Sequence, residues 1–203
     1  MTGELTLSHR IGALAQLTLQ DPRQAAQVLL AEPVPMRARS AGLLLVAVVS
    51  AMLANLQAGL NPQPMDPLSA FMLASPFRTA LFQWFFLALS IVLIDRVGRA
   101  FGGQGNFADA LLVVVWLQLL TLALQFLQLV ATLVAPPLAG IIGIGGFVVF
   151  LWLMTAFIAE LHGFRSRGRV FVGMVLTALG TGVILGTLLI LILILGPEAF
   201  ADV

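Results

Sequence analysis

The chain has 203 residues, of which 60% are hydrophobic and only 9% charged, with a formal net charge of +1. Soluble domains carry about 25% charged residues, so an ordinary water-soluble fold is excluded and an integral membrane protein is expected. The net charge says nothing about nucleic acid, but there is no basic stripe interleaved with aromatics, only turn-sized Arg clusters at span boundaries, so no nucleic-acid partner is expected. Absent cysteine removes disulfides, thiolate nucleophiles and Cys-type zinc sites.

In chain order, residues 1–37 read as a cytoplasmic segment of short helices and residues 38–203 as a transmembrane bundle. Leu7, Ile11, Leu14, Leu17 and Thr18 recur at helical spacing, which predicts a mildly amphipathic helix. It would be a cap packed under the bundle or a helix lying in the headgroup layer, the cap being preferred. Asp21-Pro22 starts a second helix, with Asp as N-cap and Pro at the first helical position, ending by Glu32 before Pro33 and Pro35. No cleavable signal pattern precedes the first apolar run, so that run is expected to be an uncleaved anchor.

Five apolar runs have spanning length, at about 40–59, 76–95, 107–135, 138–160 and 170–195. Between the first two, Asp66-Pro67 starts a short segment, Leu68–Ala74, which is an interfacial helix or a re-entrant turn. Ser75-Pro76 starts the second span, and Arg78 in its first turn can snorkel to the headgroups. The stretch from Arg96 to Asp109 reads as a short inner loop turning at Gly102–Gly105, with Asn106 as N-cap of the third span. That span is longer than the bilayer is thick and must tilt, kink or protrude. Pro136-Pro137 makes an outer hairpin, Gly145-Gly146 would loosen the fourth span, and Gly196-Pro197 would end the fifth before an acidic tail.

All ten basic residues are arginine, and all but Arg78 alternate with the spans. Arg10, Arg23, Arg37 and Arg39 precede the first, Arg96 and Arg99 follow the second, and Arg165, Arg167 and Arg169 separate the fourth from the fifth. Cytoplasmic loops hold the excess of Lys and Arg, so the N-terminus is expected inside and the C-terminus outside.

Candidate chemistry is sparse. Asp95, Arg96, Arg99, Asp109 and Glu160 fall at span boundaries, which argues against an ion pump with a midplane acid. Gln118, Thr121, Gln125 and Gln128 share one face of the third span, with Gln83 on the second as a partner. Interhelical hydrogen bonding is the favoured role, and a polar path for a small solute is the alternative. Ala178, Gly182 and Gly186 repeat every four residues on the fifth span and suit close helix packing.

Gly103-x-Gly105-x-x-Ala108 imitates a dinucleotide fingerprint but follows a membrane helix instead of a strand, so no nucleotide cofactor is expected. Its glycines suit a tight turn with positive φ. A lipid headgroup phosphate would meet exposed amides at the start of the third span, with Arg99 nearby. Glu160 and His162, two apart, do not face each other on a helix and read as a polar helix end with Gly163 as the stop. No metal ligands, nucleophile or paired midplane acids are found, and no cofactor is expected.

The Asp21-Pro22-Arg23 helix start, the five spans and the segment RVGRAFGGQGNFADA from Arg96 to Ala110 resemble the Yip1 family, specifically its bacterial branch. The resemblance covers most of the chain. It implies a five-span bundle and no catalytic residue. Eukaryotic members associate with Rab GTPases and with one another on Golgi and endoplasmic-reticulum membranes. The compact, lysine-free chain looks bacterial, so the Rab role is not carried over.

The expected fold is therefore all-α, a polytopic helix bundle with short N-terminal amphipathic helices. The expected function is non-enzymatic: organising membrane lipids, a protein partner or further copies of itself at the cytoplasmic face of a bacterial inner membrane. Arg96, Arg99, Gly102, Gly103, Gly105, Arg165, Arg167 and Arg169 would carry it. The alternative is a permease or channel lined by Gln83, Gln118, Gln125 and Gln128, and a membrane-embedded enzyme ranks last.

Overall fold

The computed structural model describes residues 7–62 and 64–199, and all regular structure among them is helical. Eight helices follow in order: α1 (Leu7–Gln20), α2 (Pro22–Ala31), α3 (Met36–Leu60), α4 (Pro67–Leu73), α5 (Pro76–Ala100), α6 (Phe107–Val134), α7 (Pro136–His162) and α8 (Arg167–Ala199). Five of them, α3, α5, α6, α7 and α8, are long and apolar enough to cross a membrane.

Local chemistry accounts for the helix starts. The Asp21 carboxylate accepts the N–H groups of Arg23 and Gln24, Asp66 those of Leu68 and Ser69, the Ser75 hydroxyl that of Arg78, and the Asn106 amide that of Asp109. Each cap satisfies backbone donors that have no partner inside the helix. Pro22, Pro67, Pro76 and Pro136 occupy first-turn positions, where a missing N–H costs little. At its other end α7 stops at Gly163, with φ of 70°, while the Phe164 N–H donates to the Ala159 carbonyl in a Schellman closure.

Three boundaries differ from the sequence reading. α5 continues to Ala100, so Asp95, Arg96 and Arg99 lie on the helix and the connection to α6 shrinks to residues 101–106. The extra turn carries an i,i+4 ion pair, Asp95–Arg99, which favours helix over loop. α7 runs unbroken through Gly145-Gly146: Gly146 does not loosen the helix but seats the Leu124 side chain of α6, which a Cβ there would overlap. α8 continues through Gly196-Pro197 to Ala199, since a proline in the last turn removes only one donor. The rest of the expected acidic tail, residues 200–203, lies outside the described residues.

The chain divides into two units, residues 1–165 and residues 166–203. In the first, α3 and α6 run side by side in the same direction, with Arg39 level with Asp109 and Gly42 facing Val115. α5 runs antiparallel to α3, joined near the far end by a 2.8 Å hydrogen bond from Asn55 Nδ2 to Thr79 Oγ1. α7 folds back along α6 after the single residue Ala135. α4 lies at the far end, where Phe71 packs edge-on to Phe82 and the Arg78 guanidinium sits 4.8 Å from the Phe71 ring centroid.

The main core cluster joins α2, α6 and α7 through Ala25, Ala26, Leu29, Leu112, Val113, Trp116, Leu117, Leu153 and Phe157. The α1–α2 hairpin thus packs against the sides of α6 and α7 rather than beneath their ends. The Trp116 indole N–H donates to Thr18 Oγ1 at 3.1 Å, which satisfies the buried polar atom of each residue. The second unit is the helix α8. Ala178, Gly182 and Gly186 lie along one of its faces.

Candidate functional site

Every ion pair among the described residues gathers at one end of the first unit, where α3 and α6 begin and α5 and α7 finish. Arg39, one turn into α3, is the most enclosed cation, with its side chain 11% exposed. It donates to the Val34 carbonyl at 2.9 Å, the Ala108 carbonyl at 2.5 Å and the Asp109 carboxylate at 2.9 Å. Asp109 also accepts from the Asn106 amide. One guanidinium thereby ties the α2–α3 linker to the start of α6, and its fixed fork of donors suits this task better than an ammonium would.

The α1–α2 hairpin is held to the same end. Arg23 Nε lies 3.3 Å from Glu160 Oε2, Gln27 donates to Glu160 Oε1 at 2.8 Å, and Arg10 pairs with Glu32 at 2.5 Å. Glu160 is therefore a docking point for α2.

His162 is the feature that sequence reasoning missed. It closes α7, yet it is 2% exposed. The Gly105 N–H donates to Nδ1 at 3.2 Å, so the proton resides on Nε2, which donates to the Ile94 carbonyl at 3.0 Å. Three glycines make room for the ring: a Cβ at Gly98 would overlap it, one at Gly103 would lie 2.5 Å from Nδ1, and one at Gly105 would lie 2.7 Å from Cε1. Phe164 stacks on it with ring centroids 5.5 Å apart. The signal was present as glycines at 98, 103 and 105, but only the fold places an imidazole among them.

The expected tight turn is made by Gly102, with φ of 82°, and not by Gly103 or Gly105. The amides of Gly102 to Gly105, in the loop before α6, all find acceptors. The N–H groups of Gly102, Gly103 and Gln104 donate to the carbonyls of Arg99, Gly98 and His162, and that of Gly105 to the His162 ring. These amides hold the loop to α5 and α7 and leave none of the four for a phosphate.

Asp95, with its side chain 4% exposed, receives Arg99 at 2.5 Å and lies 3.7 Å from Arg96, while its Oδ1 is buried without a hydrogen-bond partner. The arginines fall into classes by their partners. Arg10, Arg23, Arg39 and Arg99 engage internal carboxylates at 3.3 Å or less. Arg96 is 76% exposed, and Arg37, Arg165, Arg167 and Arg169 enter no ion pair among the described residues.

The structure separates the glutamines of the intramembrane face. Gln128 donates to the Ala139 carbonyl of α7 at 3.5 Å, where Gly143 leaves it room. The Thr121 hydroxyl donates to Leu117 in its own helix. Gln83 and Gln118 are half-buried, and Gln125 Oε1 is buried without a partner. No group of three or more metal-ligating side chains occurs among the described residues.

The Yip1 domain matches residues 17–195, which takes in every spanning helix and the glycine loop. The chain belongs to the Yip1 family. No curated protein and no solved structure matches it. Within this Yip1 chain, the matched region begins in α1 and contains Arg39, Asp95, Gly98, Gly103, Gly105, Asp109 and His162. The arginine clamp and the histidine cradle are thus parts of the domain proper.

Proposed function

We propose that this Yip1-family membrane protein is a non-enzymatic organiser. It gathers anionic lipids, or an acidic partner protein, at the cytoplasmic face of a bacterial inner membrane. Its N-terminus and its arginine-rich end face the cytoplasm. The observation that carries this reading is the division of the arginines. Arg10, Arg23, Arg39 and Arg99 are engaged by the chain's own carboxylates, whereas Arg37, Arg165, Arg167 and Arg169 enter no ion pair among the described residues and Arg96, 3.7 Å from Asp95, stays 76% exposed. Guanidinium groups bind phosphate and carboxylate oxygens in a bidentate manner, and juxtamembrane clusters attract anionic lipid.

The test is purification of the full chain at native expression level in mild detergent, followed by mass spectrometry of everything retained. Enrichment of anionic phospholipid, or a stoichiometric protein, is expected in the parent and lost in the triple variant Arg165→Gln, Arg167→Gln, Arg169→Gln. Equal retention by parent and variant refutes the assignment to those arginines.

A permease reading retains one supporting observation, the unpartnered Gln125 Oε1 at the depth of the membrane. Solute flux in vesicles that falls on Gln125→Leu would favour it, and flux equal to that of protein-free vesicles would dismiss it.

A further inference from the structure

Between α1, α3 and α6 lies an open slot of about 490 Å³. Ile11 and Ala15 of α1 close one end, Val49 and Leu53 of α3 form one wall, and α6 from Trp116 to Phe126 forms the other. Every lining side chain is apolar apart from the Trp116 N–H, which Thr18 already accepts.

The depth of this slot follows from helix geometry. At about 1.5 Å per residue, α6 is about 42 Å long against about 30 Å of hydrocarbon, an excess of about 12 Å that projection or tilt takes up. The projecting end is the one where the ion pairs and the α1–α2 hairpin gather. Trp116 lies about 13 Å from the start of α6, close to the hydrocarbon boundary, and Phe126 about 28 Å from it. The slot therefore begins under α1 at the boundary and extends into the apolar layer. Water gains nothing there, because it needs two to four polar partners.

We propose that this slot is a seat for one acyl chain of an inner-leaflet phospholipid. The volume falls within the range of about 300–1,000 Å³ found for small-molecule sites, and the wholly aliphatic and aromatic lining suits a hydrocarbon chain. Charge at the mouth fits the same occupant. Arg10 precedes Ile11, and its side chain remains 55% exposed while it pairs with Glu32, so donors of its guanidinium remain open to a phosphate. α1 thus holds a lipid by both parts, the tail beneath its apolar face and the headgroup beside Arg10. This site is separate from the Arg165–Arg169 segment and does not depend on which headgroup those residues prefer.

The experiment uses the full chain in nanodiscs of mixed phosphatidylethanolamine and phosphatidylglycerol doped with a phospholipid bearing a diazirine midway along one acyl chain. After photolysis, labelled peptides are mapped by mass spectrometry. The expected result is labelling around Ile11–Ala15 and Leu119–Phe126 several-fold above that at Leu44 and Leu45, which are exposed on α3 outside the slot. Ala123→Trp fills the slot and should abolish the excess while leaving label at Leu44 and Leu45 unchanged. Labelling no greater in the slot than at Leu44 and Leu45 overturns the proposal. Should the variant fail to fold, the parent's labelling pattern decides alone. Loss of anionic-lipid retention in the triple arginine variant with slot labelling intact would show that the two sites stand or fall separately.

Discussion

Gly105 and His162 are joined by a hydrogen bond that only a glycine at 105 permits: the backbone N–H reaches Nδ1 at 3.2 Å, and a Cβ would meet the ring at 2.7 Å. The contact links the loop before α6 to the last residue of α7. With the Ile94 carbonyl on the opposite nitrogen, it also joins α5. Three helices that are distant in sequence are thereby pinned at one end of the bundle by a single neutral imidazole.

Gly98→Ala should destabilise the protein by about 1–3 kcal/mol, the usual cost of overpacking a filled site. In a His162→Ala background the same change should be nearly neutral, because the overlapping ring is gone. Thermal unfolding of the four proteins in detergent gives the coupling, and additive effects would contradict the cradle.

His162→Ala on its own leaves the Gly105 N–H buried without an acceptor and opens a cavity between the glycines. A loss of about 2–4 kcal/mol is expected from these two causes together. Hydrogen exchange should accelerate at residues 103–105 before it does at mid-span amides, and uniform acceleration would argue against a local latch.

Arg39→Lys keeps the charge but loses the fork that reaches Val34, Ala108 and Asp109 together. It should cost about 1–3 kcal/mol despite its conservative appearance. Exchange at the starts of α3 and α6 should rise in concert. A variant indistinguishable from the parent would show that the clamp is dispensable.

Asp66 has a carboxyl held below the usual carboxylate range, first by the Ser69 hydroxyl and then by backbone N–H groups. A lowered folded-state pKa means that its contribution to α4 is fully present above the unfolded value of 3.8 and is lost as pH falls through the folded value. Amide protection at Leu68 and Ser69 should therefore hold from neutrality to mildly acidic pH and drop only in strong acid. In Asp66→Ala it should be low throughout, and a loss of protection in the parent near pH 6 would contradict the assignment.

Gln128→Leu should weaken the α6–α7 contact by about 0.6–2 kcal/mol, as expected for an interhelical hydrogen bond in a membrane. Unfolding in lipid–detergent mixtures reads this directly. A gain in stability would show that the amide is kept for something other than packing.

Residue order alone determined the elements that depend on neighbours along the chain. Asp21-Pro22, Asp66-Pro67, Ser75-Pro76 and Asn106 announced their helix starts because capping is a contact within three residues, and Gly163 announced a stop for the same reason. The five spans were legible because a stretch of about 20 apolar residues has few alternatives to crossing a bilayer. The loop from Arg96 to Ala110 was distinctive enough to resemble the Yip1 family, as the domain match bears out.

Contacts between distant residues were decided only by the tertiary structure. Arg39 counted as one more topology-setting charge until the fold brought Ala108 and Asp109 beside it, 70 positions away. His162 was a polar helix end until Gly98, Gly103 and Gly105 closed around it. The amides of Gly102 to Gly105 have acceptors on α5 and α7 that only the fold brings within reach. Periodicity and capping act along the chain, whereas the partner of a buried polar group is set by packing in three dimensions, and no local spacing encodes that choice.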